Sequence, residues 1–220
     1  MKIKIIENGP YEVTGNIPLT HKEIARIEPD ALGLRKIADI IPDNPQQYRL
    51  CRCGKSKTMP FCDGTHVACK FHGTEVADKR NYELRARTQY GLDLDLMDDR
   101  RCAFARFCHR MQSEVWTLTA ESDDPIRRRA AIAGITTCPS GRLVARDKDG
   151  NIIERKFAPE IEIVEDPMRR CSAGIYVKGG IQIESADGTI YEVRNRVALC
   201  RCGRSRNMPF CDASHVPNDD

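Results

Sequence analysis

Cys51-Arg52-Cys53-Gly54-Lys55-Ser56 returns 149 residues later (200 − 51) as Cys200-Arg201-Cys202-Gly203-Arg204-Ser205, and Met59-Pro60-Phe61-Cys62-Asp63 returns at the same offset as Met208-Pro209-Phe210-Cys211-Asp212. His66 and His215 close the two copies, so each short segment holds three thiols and one imidazole. An internal repeat of this kind sets the architecture before local propensity is considered. Upstream, Val13-Thr14-Gly15-Asn16-Ile17 is echoed by Val177-Lys178-Gly179-Gly180-Ile181, and both stretches alternate apolar and polar residues as half-buried strands do. Each copy therefore reads as strands feeding a metal-binding loop.

Composition decides how the cysteines are used. The chain has 220 residues and 11 cysteines, an odd number, with no apolar run at its start. That argues against a secreted disulfide framework and for metal ligation in a reducing, cytoplasmic setting. Apolar stretches such as Ile37 to Ile41 are far shorter than the roughly 20 residues that span a bilayer, so no membrane segment is expected. Lys and Arg number 35 against 32 Asp and Glu, a net charge of +3 that does not by itself indicate nucleic acid. Aromatics at 6% and charged residues at 30% predict small domains that lean on bound metal for stability.

Four soft or borderline donors describe zinc or an iron-sulfur cluster. Zinc ribbons separate paired cysteines by two to four residues, whereas Cys51-x-Cys53 leaves one, a cramped arrangement for two thiolates on a single ion. A cluster with two irons spreads the donors. Buried cysteines scattered at random would not repeat four positions at identical spacing. The order Cys51-x-Cys53-x2-Ser56-x3-Pro60-x-Cys62-Asp63-Gly64-Thr65-His66 resembles the CDGSH iron-sulfur domain family, the NEET proteins, at every motif position. In the second copy Cys200, Cys202, Ser205, Pro209, Cys211, Asp212, Ser214 and His215 match, and Ala213 departs from the family's glycine. The resemblance implies one 2Fe-2S cluster per copy, with the first two cysteines on the inner iron and the third cysteine and the histidine on the outer one. It also implies pairing of two motifs, here within one chain, as a monomer with an intramolecular pseudo-dimer.

The neighbouring residues suggest roles of their own. Asp63 and Asp212 are placed to cap the turn that carries each histidine, and Ser56 and Ser205 to donate a hydrogen bond to sulfur. Pro60 stiffens the approach to Cys62. Ala213 costs nothing if φ is negative and is strained if φ is positive. Arg52, Lys55, Lys57, Arg201, Arg204 and Arg206 serve either to balance an anionic cluster or to dock an acidic redox partner.

The expected fold class is α+β and strand-rich: two NEET-like halves paired as a pseudo-twofold unit, with the strands near Val13 and Val177 in one shared layer and a small α/β insert between the halves. Domains are expected over residues 1–80, 81–165 and 166–220. Within the insert, Tyr82 to Met97 reads as strand, Ala103 to Met111 as a short helix, and Asp124 to Ile135 as a helix opened by Pro125. Strands are expected at Leu143 to Arg146 and Ile152 to Val164 around the turn Asp147-Lys148-Asp149-Gly150, and 217–220 as a disordered tail.

Cys69, Cys102, Cys108, Cys138 and Cys171 remain. Cys102-x5-Cys108 followed by Cys138-Pro139 resembles a divergent single-cluster 4Fe-4S ferredoxin-like domain, but residues 103 to 107 offer no fourth ligand, leaving only Cys171 or His109. A third cluster and a set of buried structural cysteines are both open. Cys69 and Cys171 read as small core residues. Catalytic signatures such as G-x-G-x-x-G, a P-loop, H-E-x-x-H or G-x-S-x-G are absent from the sequence. The expectation is therefore a non-enzymatic iron-sulfur protein in electron transfer, redox sensing or cluster transfer, working with a redox partner or cluster acceptor and not with nucleic acid or membrane. The alternative is a zinc-stabilised nucleic-acid or protein binding module, supported by Arg127-Arg128-Arg129.

Overall fold

Period-two burial sets the strands that position the metal loops. The computed structural model describes residues 1–217, so all but Pro217 of the tail expected at 217–220 lies outside the described residues. Strand β1 (Lys2–Ile5) buries Ile3 and Ile5, and β2 (Tyr11–Thr14) buries Tyr11 and Val13. The hairpin β3 (Leu19–Glu28) and β4 (Ala31–Ile40) follows, then β5 (Gln47–Leu50), which buries Tyr48 and Leu50 and runs into the first metal loop. Helix α1 (Thr65–Ala68) ends that loop. Next come α2 (Tyr82–Arg85), β6 (Arg87–Tyr90), β7 (Asp95–Asp98), β8 (His109–Arg110), β9 (Ser113–Glu114), α3 (Val115–Ala120), α4 (Pro125–Thr136), β10 (Leu143–Arg146) and β11 (Ile152–Ile153). The chain closes with β12 (Glu160–Asp166), β13 (Cys171–Lys178), β14 (Gln182–Glu184) and β15 (Arg196–Leu199), which feeds the second loop.

Three sheets result among the described residues, besides the β8–β9 ribbon. The first has the order β14-β1-β2-β5 and the second β15-β13-β12-β3-β4. Val13 and Val177 thus lie in different sheets, a correction to the single layer expected. Each sheet is instead completed from the other half: the first takes β14, and the second takes β3 and β4. β14 runs parallel to β1 with Ile183 beside Ile3, and β3 runs parallel to β12 with Leu19 beside Ile161. The inner faces share one core, in which Ile3, Ile5 and Val13 pack with Ile161, Ile175 and Val177. The physical reason is that the apolar residues after Gly15 and Gly179-Gly180 continue past a left-handed turn, which sends them across to the neighbouring sheet.

The third sheet, β11-β10-β7-β6, carries α3 and α4 around a second core of Leu94, Leu96, Val115, Leu118, Ile135 and Leu143. Helix α4 begins as its sequence predicts, with Pro125 in the first turn and the Asp124 carboxylate accepting the N–H of Ile126 at 2.7 Å. Two expectations fail here. Tyr82 to Met97 divides into α2, β6 and β7 because a turn at 91–94 folds the strand on itself, with Gly91 N–H donating to Leu94 O at 3.0 Å. The helix expected at Ala103 to Met111 does not form. Phe104 and Arg106 take positive φ (57° and 64°), and Ala103, Ala105 and Phe107 alternate inward against the second sheet. Arg106 is held by two hydrogen bonds to Asp166, at 2.7 and 3.0 Å. Tertiary pairing therefore overrides the local helical pattern.

Arg196 of β15 fastens the middle unit to the second sheet. Its buried guanidinium donates to the carbonyls of Ile135 (3.0 Å), Cys138 (2.5 Å) and Leu143 (3.2 Å) and to the Glu154 carboxylate. Replacing Arg196 by Leu strands those buried acceptors, each worth about 1–3 kcal/mol when unpaired. The expected result is a loss of about 2–4 kcal/mol in denaturant unfolding. An unchanged midpoint would show that the middle unit docks without this side chain.

Candidate metal centre

The two loops are built alike from their first hydrogen bond to their last. Cys51 N–H donates to Pro60 O and Cys200 N–H to Pro209 O, both at 2.8 Å. Cys62 N–H reaches Arg49 O at 2.9 Å, and Cys211 N–H reaches Ala198 O at 2.8 Å. Both prolines follow cis peptide bonds. The hydrogen bonds fold each loop back on its own strand and bring the donors together in pairs. The Sγ atoms of Cys51 and Cys53 are 3.7 Å apart, and those of Cys200 and Cys202 are 3.8 Å apart. Cys62 Sγ lies 3.3 Å from His66 Nδ1, and Cys211 Sγ lies 3.4 Å from His215 Nδ1. Two thiolates on one tetrahedral metal, with bonds of about 2.3 Å, stand about 3.8 Å apart, so the donor pairs fit a metal each.

Electrostatics favours the same use. Burial pushes the Cys211 thiol up to about 12, so a bare thiolate there is costly and a cation must compensate it. Burial also lowers the pKa of His215, favouring the neutral imidazole that ligates. Cys202 is shifted the other way, first by the Cys200 thiol hydrogen bond and then by the N–H groups of Arg204. The Tyr176 hydroxyl, fully buried, has no hydrogen-bond partner among the described residues, and Tyr176 packs in the same core as Cys211. An orphaned donor in that core suits an acceptor such as sulfide. Sequence reading missed Tyr176, because nothing in its local pattern separates it from an ordinary core residue.

The loops also touch. A Cβ built on Gly54 would lie 2.6 Å from Cys202 O, and one on Gly203 would lie 2.4 Å from Cys53 O. Both glycines have positive φ, 74° and 73°. Tyr11, from the first half, donates to the second loop's Cys200 O (2.8 Å) or Pro209 O (3.0 Å).

Several predicted roles change. The N-cap of α1 is Gly64, and Asp63 sits one residue earlier, where its carboxylate joins two parts of the loop by accepting Lys57 N–H (2.8 Å) and Thr65 N–H (2.9 Å). Asp212 does the same with Arg206 N–H (2.8 Å) and Ser214 N–H (3.0 Å). These bonds hold the Asp63 and Asp212 carboxyls below the ordinary carboxylate range. The Ser56 and Ser205 hydroxyls, expected to donate to sulfur, reach carbonyls here. A hydroxyl has one proton, and here it goes to Phe61 O (2.6 Å) and Phe210 O (2.7 Å).

Arg52 is 1% exposed and spends its guanidinium on Gly9 O, Gly73 O and Ile6 O, while Arg201 is buried against Val164 O and Glu165. Neither faces a partner; Lys55, Lys57, Arg204 and Arg206 do stand exposed. Cys69 and Cys171, expected in the core, are half-buried and line a groove of about 570 Å³ between the two loops. The sites also differ in cover. Cys62 and His66 are partly exposed, whereas Cys211 and His215 are 4% and 5% exposed beneath the middle unit.

Taken together, these are twin loops, each gathering three cysteines and one histidine at the end of an antiparallel strand pair. A family model described as iron-binding zinc finger CDGSH type matches residues 8–67 and 173–216. A second, described as divergent 4Fe-4S mono-cluster, matches residues 90–148. No curated protein and no solved structure gives a match. The chain carries two CDGSH segments of the NEET type on either side of a divergent 4Fe-4S mono-cluster segment, and it is an iron-sulfur protein. No helix among the described residues is long and apolar enough to cross a membrane.

Two predictions follow from the loop geometry. Gly64 has φ 87° with open space around its missing Cβ, while Ala213 holds φ 70° with a Cβ present. Ala213→Gly should stabilise the second loop and Gly64→Ala destabilise the first, each by about 1 kcal/mol in the metal-free protein, from the cost of left-handed backbone in an L-residue. Equal and opposite shifts in unfolding midpoint are expected; no shift in either would show that the turns relax freely. Separately, Tyr176→Phe should stabilise the metal-free chain by about 1–3 kcal/mol, since it removes a buried unpaired hydroxyl. A destabilised variant would reveal a partner for that hydroxyl.

Proposed function

We propose that the chain is an electron-transfer protein holding two 2Fe-2S clusters, one per loop, and that its two halves form a pseudo-twofold unit within a monomer. The observation that carries the reading is the pairing of donors. In each loop two sulfurs stand at the separation of ligands on one metal, and the third cysteine stands beside the histidine. On this reading Cys51 and Cys53 hold the inner iron and Cys62 and His66 the outer one, with Cys200, Cys202, Cys211 and His215 in the same roles. When bound, such a cluster takes up one electron at a time, and an imidazole in place of a thiolate raises its potential.

The rival, a single structural zinc per loop, needs four donors converging on one point. Among the described residues no three His, Cys, Asp or Glu side chains do so. The pseudo-twofold reading draws on the reciprocal strand exchange and on the matching approach of Gly54 and Gly203 to the opposite loop. Electron transfer is preferred over cluster donation because Cys211 and His215 are buried, which lets an electron pass but obstructs release of a cluster. The partly exposed first site, flanked by Lys55 and Lys57, is the face offered to an acidic redox protein. Arg127 of the arginine run is paired with Glu121 and Asp124, which weakens the case for nucleic acid. No small-molecule reaction is assigned to the chain.

Anaerobically purified protein should be red-brown, with iron and acid-labile sulfide in equal amounts at the twin sites. Cys53→Ser and Cys202→Ser should each remove about two irons per chain. His66→Cys should keep its iron and lower that site's midpoint potential in film voltammetry, since a thiolate adds negative charge. Colourless protein with about one zinc per loop would overturn the assignment.

A further inference from the structure

The middle unit does not fit the cluster its family description names. A 4Fe-4S cluster takes four thiolates, and in bacterial ferredoxins three come from a C-x2-C-x2-C run and one from a Cys-Pro. This chain has Cys102-x2-Ala105-x2-Cys108 and then Cys138-Pro139, with alanine at the second place. Ala105 is 4% exposed and packed among apolar side chains.

The three cysteines nonetheless gather at one end of the third sheet. Cys102 follows β7 and Cys138 precedes β10, and those strands pair with Asp98 beside Leu143. Cys108 O accepts Val115 N–H at 3.0 Å at the start of α3, which packs on α4, and α4 leads into Cys138. Arg142, bound to Asp98 at 2.6 Å through Nε, also contacts the Cys102 thiol. Cys108 packs against the same core that buries Cys138. Two of the sulfurs already have polar neighbours: Phe104 N–H donates to Cys102 Sγ at 3.3 Å, and Ser140 Oγ lies 3.4 Å from Cys138 Sγ.

Neither sequence candidate supplies a fourth donor. His109 is exposed beside Glu114, with its Nδ1 3.6 Å from the carboxylate. Cys171 opens into the groove between the twin loops, among Asp166, Arg106 and Glu165.

We infer that Cys102, Cys108 and Cys138 hold a three-iron 3Fe-4S cluster, a cuboid lacking the corner whose ligand would come from position 105. This deepens the reading of the chain as an iron-sulfur protein and rests on it.

EPR of the full chain, purified anaerobically and then oxidised, tests the inference. Oxidised 2Fe-2S and 4Fe-4S clusters have paired spins and are silent, whereas an oxidised 3Fe-4S cluster is paramagnetic. The expected result is about one spin and about seven irons per chain. Cys138→Ser should abolish the signal while the visible bands of the twin sites persist. Ala105→Cys should abolish it while iron rises to about eight. A silent wild type with about eight irons, or with about four and intact twin-site bands, sinks the three-iron site and leaves the twin clusters standing. A signal retained in Ala105→Cys overturns the assignment of the open corner. Absence of iron altogether would instead refute the reading of the whole chain.

Discussion

Ile3 beside Ile183 and Leu19 beside Ile161 mark the two parallel ladders on which the rest of the structure depends. A strand edge carries unpaired N–H and C=O groups that must be satisfied once water is excluded. β14 closes the edge left by β1, and β3 lies against β12, so each half completes the other's sheet. The antiparallel pairs β2–β5 and β13–β15, whose last strands run into the metal loops, are therefore aimed by residues from both ends of the chain. This is why loops 149 residues apart approach closely enough that only glycine fits at 54 and 203.

From this shared frame the two sites diverge. The backbone hydrogen bonds of the loops match nearly one for one, but their surroundings do not. The first loop is backed by Arg52, which gathers carbonyls of residues 6, 9 and 73, and it leaves Cys62 and His66 partly open. The second is roofed by the irregular 103–107 segment, whose Ala103, Ala105 and Phe107 pack in one cluster with Cys211. Burial shifts Cys211 and His215 toward their neutral forms, so the second site is the one whose ligands depend most on a bound cation. One motif thus provides an accessible site and an enclosed one.

The repeated donors were legible from the sequence because ligation depends on side-chain identity at short spacing, and so was α4, whose cap and proline are local signals. The cysteines of the middle segment and the missing donor between them were also visible. The helix expected at Ala103 to Met111 was misread because an apolar run near arginines has no period of its own strong enough to resist pairing with another sheet. The Ser56 and Ser205 hydroxyls, near sulfur in sequence, have nearer carbonyls in space.

By itself, then, the sequence determined the donor inventory: three thiols and one imidazole at a fixed spacing, repeated once, with alanine at position 105. Only tertiary structure decided that the halves exchange strands, that Arg52 and Arg201 are buried, that Tyr176 stands unpaired beside Cys211, and that Ala213 takes the strained conformation. The division has a physical cause. Metal donors act over a few ångströms within one loop, whereas burial and strand pairing depend on segments that meet only once the whole chain has folded.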